Sequence, residues 1–249
     1  MANDPMSQFK IEKIVDLPKV GGIDLSFTNS ALYMVIGVVL VIAFFLPTMK
    51  RQLVPGRMQS LGELSYEFIA NMVRDTTGPE AMKFFPFVFC IFFFVLIAGL
   101  VGMFPYAFTT TSHIAVTGAM ALFTIAIVIV AGIWKNGFKW FKIFAPSGLP
   151  ILMYFIIIPI EIISFLSRPI TLAVRLFANM MAGHVMLKLF AIFAAYLVGK
   201  GGIMLGAAIL PIVGTMALIA LEFLVAGLQA FVFAILTCVY LNDVYHVDH

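Results

Sequence analysis

The sequence predicts an all-helical integral membrane protein with about five membrane-crossing helices and one amphipathic surface helix. Residues AVILMFWYC make up 63% of the 249 positions and DEKR only 11%, against roughly 45–50% and about 25% in an ordinary soluble domain. Mean hydropathy is +1.10. The 26 Phe and 15 Met residues add bulk without hydrogen-bonding capacity, so lipid is the natural solvent for most of this surface. Uncharged stretches run from Asp24 to Lys50 and from Lys83 to Lys135, and with so little polar cover the backbone groups must be satisfied internally. Nucleic-acid binding and a soluble active site are excluded on the same grounds. The net charge of +3 is too weak to indicate a partner by itself.

Residues 1–249 read as a single membrane domain. Positions 1–24 form a mixed-charge tail without an apolar core of signal-peptide length. The first span, 25–47, is filled by the apolar block Ala31 to Leu46 and ends at Pro47. In 57–75, Met58, Leu61, Leu64, Phe68 and Met72 recur at steps of three and four, with Gln59, Glu63, Glu67, Asn71 and Arg74 between them. That periodicity predicts a helix lying along the membrane surface.

Residues 84–134 hold enough uncharged sequence for two crossings, interrupted by Pro105 and the polar run Thr109 to His113, which predicts a helical hairpin with a short loop. A basic segment with Lys135, Lys139 and Lys142 leads to a break at Pro146, Ser147, Gly148 and Pro150. If helical throughout, 151–199 would be roughly 70 Å long, more than twice a hydrocarbon core of about 30 Å. It must either break into a hairpin or tilt strongly, and Pro159 and Pro169 mark the cheapest bends. Gly199, Gly201 and Gly202 predict a turn, and 203–245 a second over-long helix. Asp243, His246, Asp248 and His249 are expected to return to water.

Basic residues after the first span (Lys50, Arg51, Arg57) and after the hairpin (Lys135, Lys139, Lys142) place those loops inside and the N-terminus outside. Five effective crossings then put the C-terminus inside. Cys90 and Cys238 lie in apolar runs and read as two buried free thiols rather than a disulfide or a metal site. No internal repeat is visible, which weighs against inverted-repeat transporters.

The informative residues are ionisable groups inside apolar segments, where a charge at the bilayer centre costs about 2.5–3.5 kcal/mol on insertion scales. Glu161, Arg168 and Arg175 are spaced by seven, so they share nearly one stripe of a helix, drifting by about 20° per step. Thr171 and Asn179 extend that stripe one turn either side of Arg175, while His184 points to the opposite side. Glu222 and Gln229 are again seven apart. Arg175 is permanently charged, and the nearest acids in sequence are Glu161 and Glu222, so its counter-ion is expected from another subunit or a transient ligand. Bland readings stand beside these. Arg168 reads equally as a structural or snorkelling base, Lys188 and Lys200 as interfacial anchors, and Asn179 and Gln229 as hydrogen-bonding amides. Glu161 and Glu222 can each be a neutral buried acid, and His184 alone is ambiguous.

TLAVRLFANMMAGH around Arg175, together with LEFLVAGLQAFVFAILTCVYL from Leu221 to Leu241, closely resembles subunit a of the F-type ATP synthase, the membrane stator facing the rotating c-ring. The resemblance covers essentially the whole chain, and the two motifs in this order are highly specific. It implies an all-helical fold with two tilted C-terminal helices curved against a ring of small two-helix c-subunits. It also implies b-type peripheral-stalk subunits, the remainder of the synthase and the lipid bilayer as partners, with no nucleic acid, no cofactor and no metal. The extended N-terminal tail favours a bacterial inner membrane over a mitochondrial one, although the placing of His184 and Glu222 is similar to mitochondrial forms.

Carried over by position, Arg175 corresponds to the essential arginine separating two offset half-channels. His184 and Glu222 fall on the outer half-channel, at positions where many bacterial members have acid and histidine exchanged. Glu161, Asn179 and Thr171 correspond to the inner half-channel, with Gln229 near Arg175, and Arg168 is a further candidate on the proton path. The implied activity is proton translocation coupled to ring rotation and ATP synthesis. Protons are favoured over sodium because His184 can relay them. The chain has no G-x-x-x-x-G-K-[ST] loop, so it forms no phosphate bond itself. A proton-coupled secondary transporter and a purely structural subunit are the rival readings. The first predicts a substrate cavity within this chain, the second that neutral replacements impair assembly before flux.

Overall fold

The computed structural model describes residues 9–15, 26–49, 56–104, 107–144 and 151–245. Most of the N-terminal tail, Lys50 and Arg51, Pro105, the break at Pro146, Ser147, Gly148 and Pro150, and the terminal His246, Asp248 and His249 lie outside the described residues, as do the side chains of Lys139 and Lys142.

Two short strands, β1 (Lys13–Val15) and β2 (Phe27–Thr28), pair antiparallel. The described helices are α1 (Asn29–Phe45), α2 (Arg57–Thr77), α3 (Phe85–Gly102), α4 (Ile114–Asn136), α5 (Ile151–Lys200), α6 (Ile203–Ala207) and α7 (Ile209–Tyr245). Five helical stretches, beginning at Asn29, Pro79, Ile114, Met153 and Met204, are long and apolar enough to cross a membrane. The architecture is therefore the all-helical, multi-pass one that the composition predicts.

The amphipathic α2 divides its apolar stripe between two environments. Met58, Leu61 and Leu64 are exposed, whereas Ile69, Met72 and Val73 are buried against protein. Residues 151–200 resolve the choice between hairpin and tilt: α5 is one helix of 50 residues with Pro159 and Pro169 inside it. At about 75 Å it cannot stand upright in a bilayer. Each proline removes a backbone donor. The carbonyls that lose this donor are those of Phe155 and Phe165, while Ser167 Oγ donates to Ser164 O at 2.7 Å and Thr171 Oγ1 to Arg168 O at 3.0 Å within their own turns. The chain reverses at Gly201 and Gly202, whose φ values of 66° and 61° lie in the left-handed region that favours glycine. Ala208 separates α6 from α7, but backbone hydrogen bonds run through it from Met204 to Ile212.

Contacts divide the chain into two units. The described residues of one fall within Met1–Val41, Phe94–Ile114 and Leu176–Gln229; those of the other fall within Ile42–Phe93, Ala115–Arg175 and Ala230–His249. In the second, Phe45, Phe89 and Phe93 form a ring cluster with centroids 4.7–5.0 Å apart. Its helix ends are tied by polar bonds: Thr77 Oγ1 donates to Cys238 O at 3.1 Å, and Asn136 Nδ2 to Val244 O at 2.7 Å.

One expectation needs correction. Cys238 is a buried free thiol, but Cys90 is free and exposed. In the hairpin loop, Thr109, Thr110, Thr111 and Ser112 are buried. Ser112 Oγ donates locally to Thr109 O at 2.6 Å, whereas Thr111 Oγ1 is buried without a hydrogen-bond partner among the described residues.

Candidate functional site

The long helix α5 displays the predicted stripe, and the structure separates its two arginines by their surroundings. Arg168 is held in a polar and aromatic clasp. Its Nη1 lies 2.8 Å from Asp243 Oδ2, with the two side chains 17% and 37% exposed. The guidinium carbon sits 5.0 Å from the Tyr240 ring centre and 5.6 Å from that of Phe165. Asp243 was expected to return to water; instead the last turns of α7 deliver it to Arg168. The pairing gives both charges a partner, which an apolar setting demands.

Arg175 is different. It is exposed, as are Thr171 and Asn179 one turn to either side, and it forms no ion pair or hydrogen bond among the described residues. Glu161 is half-buried on the same helix and lies 14 positions from Arg175, about 21 Å along the axis, which is too far for a direct interaction. The stripe therefore presents an unpaired fixed cation flanked by small polar groups, within a segment otherwise built for lipid.

The other unit holds a second polar cluster. His184 is buried, and its Nε2 lies 3.1 Å from Thr109 Oγ1. Thr109 Oγ1 also donates to Gly102 O at 3.3 Å, which leaves the hydroxyl to accept from His184 Nε2–H. Phe9 meets the imidazole edge-on, with ring centres 6.5 Å apart.

Glu222 of α7 reaches the α5 backbone at the residue before His184. A Cβ at Gly183 would overlap Glu222 Oε1 and lie 3.1 Å from both its Cγ and Cδ. Glu222 Oε2 is buried with no hydrogen-bond partner among the described residues, so the carboxyl has an open bonding position. Gln229, two turns further along α7 on the same face, is buried.

The structure thus brings the predicted His184 and Glu222 to adjacent positions of α5 and displays Thr171, Arg175 and Asn179 together. It adds Thr109, Gly183, Tyr240 and Asp243. Of these, Gly183 stands directly before His184 in the MMAGH motif, and Thr109 opens a run of hydroxyls and one imidazole in an apolar hairpin. Asp243 carries no local sequence signal, because its partner is 75 positions away. No group of three or more potential metal ligands is clustered among the described residues.

The family described as ATP synthase A chain matches residues 31–242. The chain belongs to the ATP synthase A chain family. Proteins named ATP synthase subunit a are similar to it along its entire length. That of Hyphomonas neptunium is 61% identical over 249 residues, covering 100% of this chain and 98% of the relative. Those of Mesorhizobium japonicum and a Chelativorans species are 56% and 55% identical, covering 99% and 100% of this chain and 98% and 100% of the relatives. The region shared with the ATP synthase A chain family includes every intramembrane polar residue predicted from sequence, whereas Asp243 falls one position beyond it.

Proposed function

We propose that this chain is the proton-conducting stator subunit of an F-type ATP synthase in a bacterial inner membrane, with its N-terminus outside and its C-terminus in the cytoplasm. Family membership and full-length relatives named as subunit a support that role. The observation that carries the mechanism is Arg175, an exposed cation without a partner in an apolar helix. Such a charge is expensive unless something outside the chain neutralises it. A ring of small two-helix c-subunits, each with a mid-membrane carboxylate, supplies the complementary group.

The chemistry follows from electrostatics. A fixed guanidinium cannot be deprotonated at any physiological pH, so it repels a hydrated proton moving straight across the membrane and attracts an ionised ring carboxylate. A ring carboxylate crosses to the other side neutral, having been protonated from one half-channel, and releases its proton into the second. Glu222, His184 and the Thr109 hydroxyl serve the outer route, since each can gain or pass a proton. Glu161, Thr171 and Asn179 serve the inner one, and Gln229 takes the amide position that the resemblance associates with the essential arginine. Arg168, engaged by Asp243, positions α5 rather than carrying protons. One charge falling through 100 mV yields about 2.3 kcal/mol, so several protons are needed per ATP. The peripheral stalk's b-type subunits hold the chain still against the ring.

Copurification tests the assignment. The chain, extracted in mild detergent, is expected to bring with it a ring of small two-helix subunits and the ATP-hydrolysing part of a synthase. Recovery alone, with substrate transport after reconstitution, would favour a secondary transporter and overturn the reading.

A further inference from the structure

A second site lies where the helical span that opens at Pro79 and the one that closes at Asn136 meet one face of the membrane. Glu80 stands in the first turn of one, and Lys135 in the last turn of the other. The Lys135 ammonium lies 2.6 Å from Glu80 Oε2 and 3.7 Å from the centre of the Tyr245 ring. These residues border a cavity of about 720 Å³ whose wall is completed by Met82, Lys83, Phe84 and Trp134.

Three features of this cavity point to one class of occupant. Its lining is mixed, with charged groups beside an apolar wall of Met82, Phe84 and Ala131. Trp134 is 90% exposed, and tryptophan at the end of a span sits at headgroup level. Charge is uneven as well. Glu80 engages Lys135, whereas Lys83 is exposed and forms no ion pair among the described residues, leaving one uncompensated ammonium at the mouth. Basic pockets between spans at a membrane surface bind anionic headgroups.

We propose that this cavity binds an anionic glycerophospholipid, with its phosphate at Lys83 and shared with Lys135, and the upper acyl chain along Met82, Phe84 and Trp134. The site is separate from the intramembrane charges and does not depend on the function assigned to them. Its occupant is a lipid rather than free phosphate because the apolar wall has no use for a bare ion.

The chain has two tryptophans, so Trp140→Phe leaves Trp134 as the sole reporter. This full-length variant is reconstituted in phosphatidylcholine vesicles containing either brominated phosphatidylglycerol or brominated phosphatidylcholine, and quenching of Trp134 is followed. The anionic lipid is expected to quench at a mole fraction about fivefold lower, the effect of one lysine at a membrane surface. Lys83→Gln, which keeps the Glu80–Lys135 pair, is expected to remove most of that preference. Equal quenching by both lipids, an unchanged preference in the Lys83→Gln/Lys135→Gln variant, or loss of the preference on adding inorganic phosphate at constant ionic strength would overturn the proposal. A photoreactive benzophenone amino acid in place of Trp134 in the complete membrane assembly distinguishes the remaining occupant. A lipid adduct supports the site, and an adduct to another protein subunit overturns it.

Discussion

The carboxyl of Glu222 occupies the space that a side chain at Gly183 would need. This close approach sets an acid of α7 against the backbone of α5 beside His184, and makes a glycine part of the proposed outer route. Gly183→Ala is expected to displace Glu222 and slow outer-side proton entry severalfold, while the complex still assembles. Shortening the acid in the same background, Gly183→Ala with Glu222→Asp, is expected to recover part of the rate. Proton flux in membrane vesicles measures both, and an unaltered rate in Gly183→Ala would contradict the close approach.

Thr109 is the only described hydroxyl hydrogen-bonded to His184. Thr109→Val removes that bond while keeping the shape, a change of about 1 kcal/mol or roughly fivefold in the equilibrium it influences. Its expected signature is slower proton uptake with an altered pH dependence. Thr109→Ser, which retains the hydroxyl, should behave like the parent chain.

The Arg168–Asp243 pair makes a different prediction because its loss leaves a charge stranded. Arg168→Gln or Asp243→Asn alone is expected to destabilise the chain by about 1–3 kcal/mol, read as a lower denaturation midpoint in detergent. Replacing both with apolar residues, as in Arg168→Met/Asp243→Leu, should cost less than either single change, since no unpaired ion remains. A double variant weaker than both singles would argue against the pair as a positioning device.

His113, at the membrane edge before α4, stacks on Phe108 with ring centres 5.0 Å apart. Burial lowers its pKa below the ordinary 6.5, so the folded chain favours the neutral ring. The unfolded chain therefore binds the proton more readily. This contribution to stability is complete above about pH 6.5 and is lost as pH falls through the lowered folded value. His113→Phe should flatten that part of the stability profile on acidification, and an identical profile would assign the acid sensitivity elsewhere.

Much of the architecture is legible in the sequence because lipid imposes a simple rule: long uncharged stretches must satisfy their own backbone as helices. The stripe from Glu161 through Arg168 to Arg175 is legible for a related reason, since helical periodicity converts a spacing of seven into one face. What stays hidden depends on pairing between distant segments. Nothing near Asp243 marks it as the partner of Arg168, and nothing near Gly183 marks the arrival of Glu222. The run Thr109 to Ser112 has the composition of an exposed loop, yet it is buried, and the pairing of Thr109 with the distant His184 is not written in its composition. Cys90 shows the converse: an apolar neighbourhood in sequence does not say whether protein or lipid covers the side chain.

The coupling role proposed for Arg175 rests on its unpaired charge. Its most direct test is ATP synthesis driven by an imposed proton gradient in membranes carrying Arg175→Ala, with assembly of the complex verified in parallel. An assembled complex with no coupled synthesis is expected. Synthesis at the parental rate would contradict it.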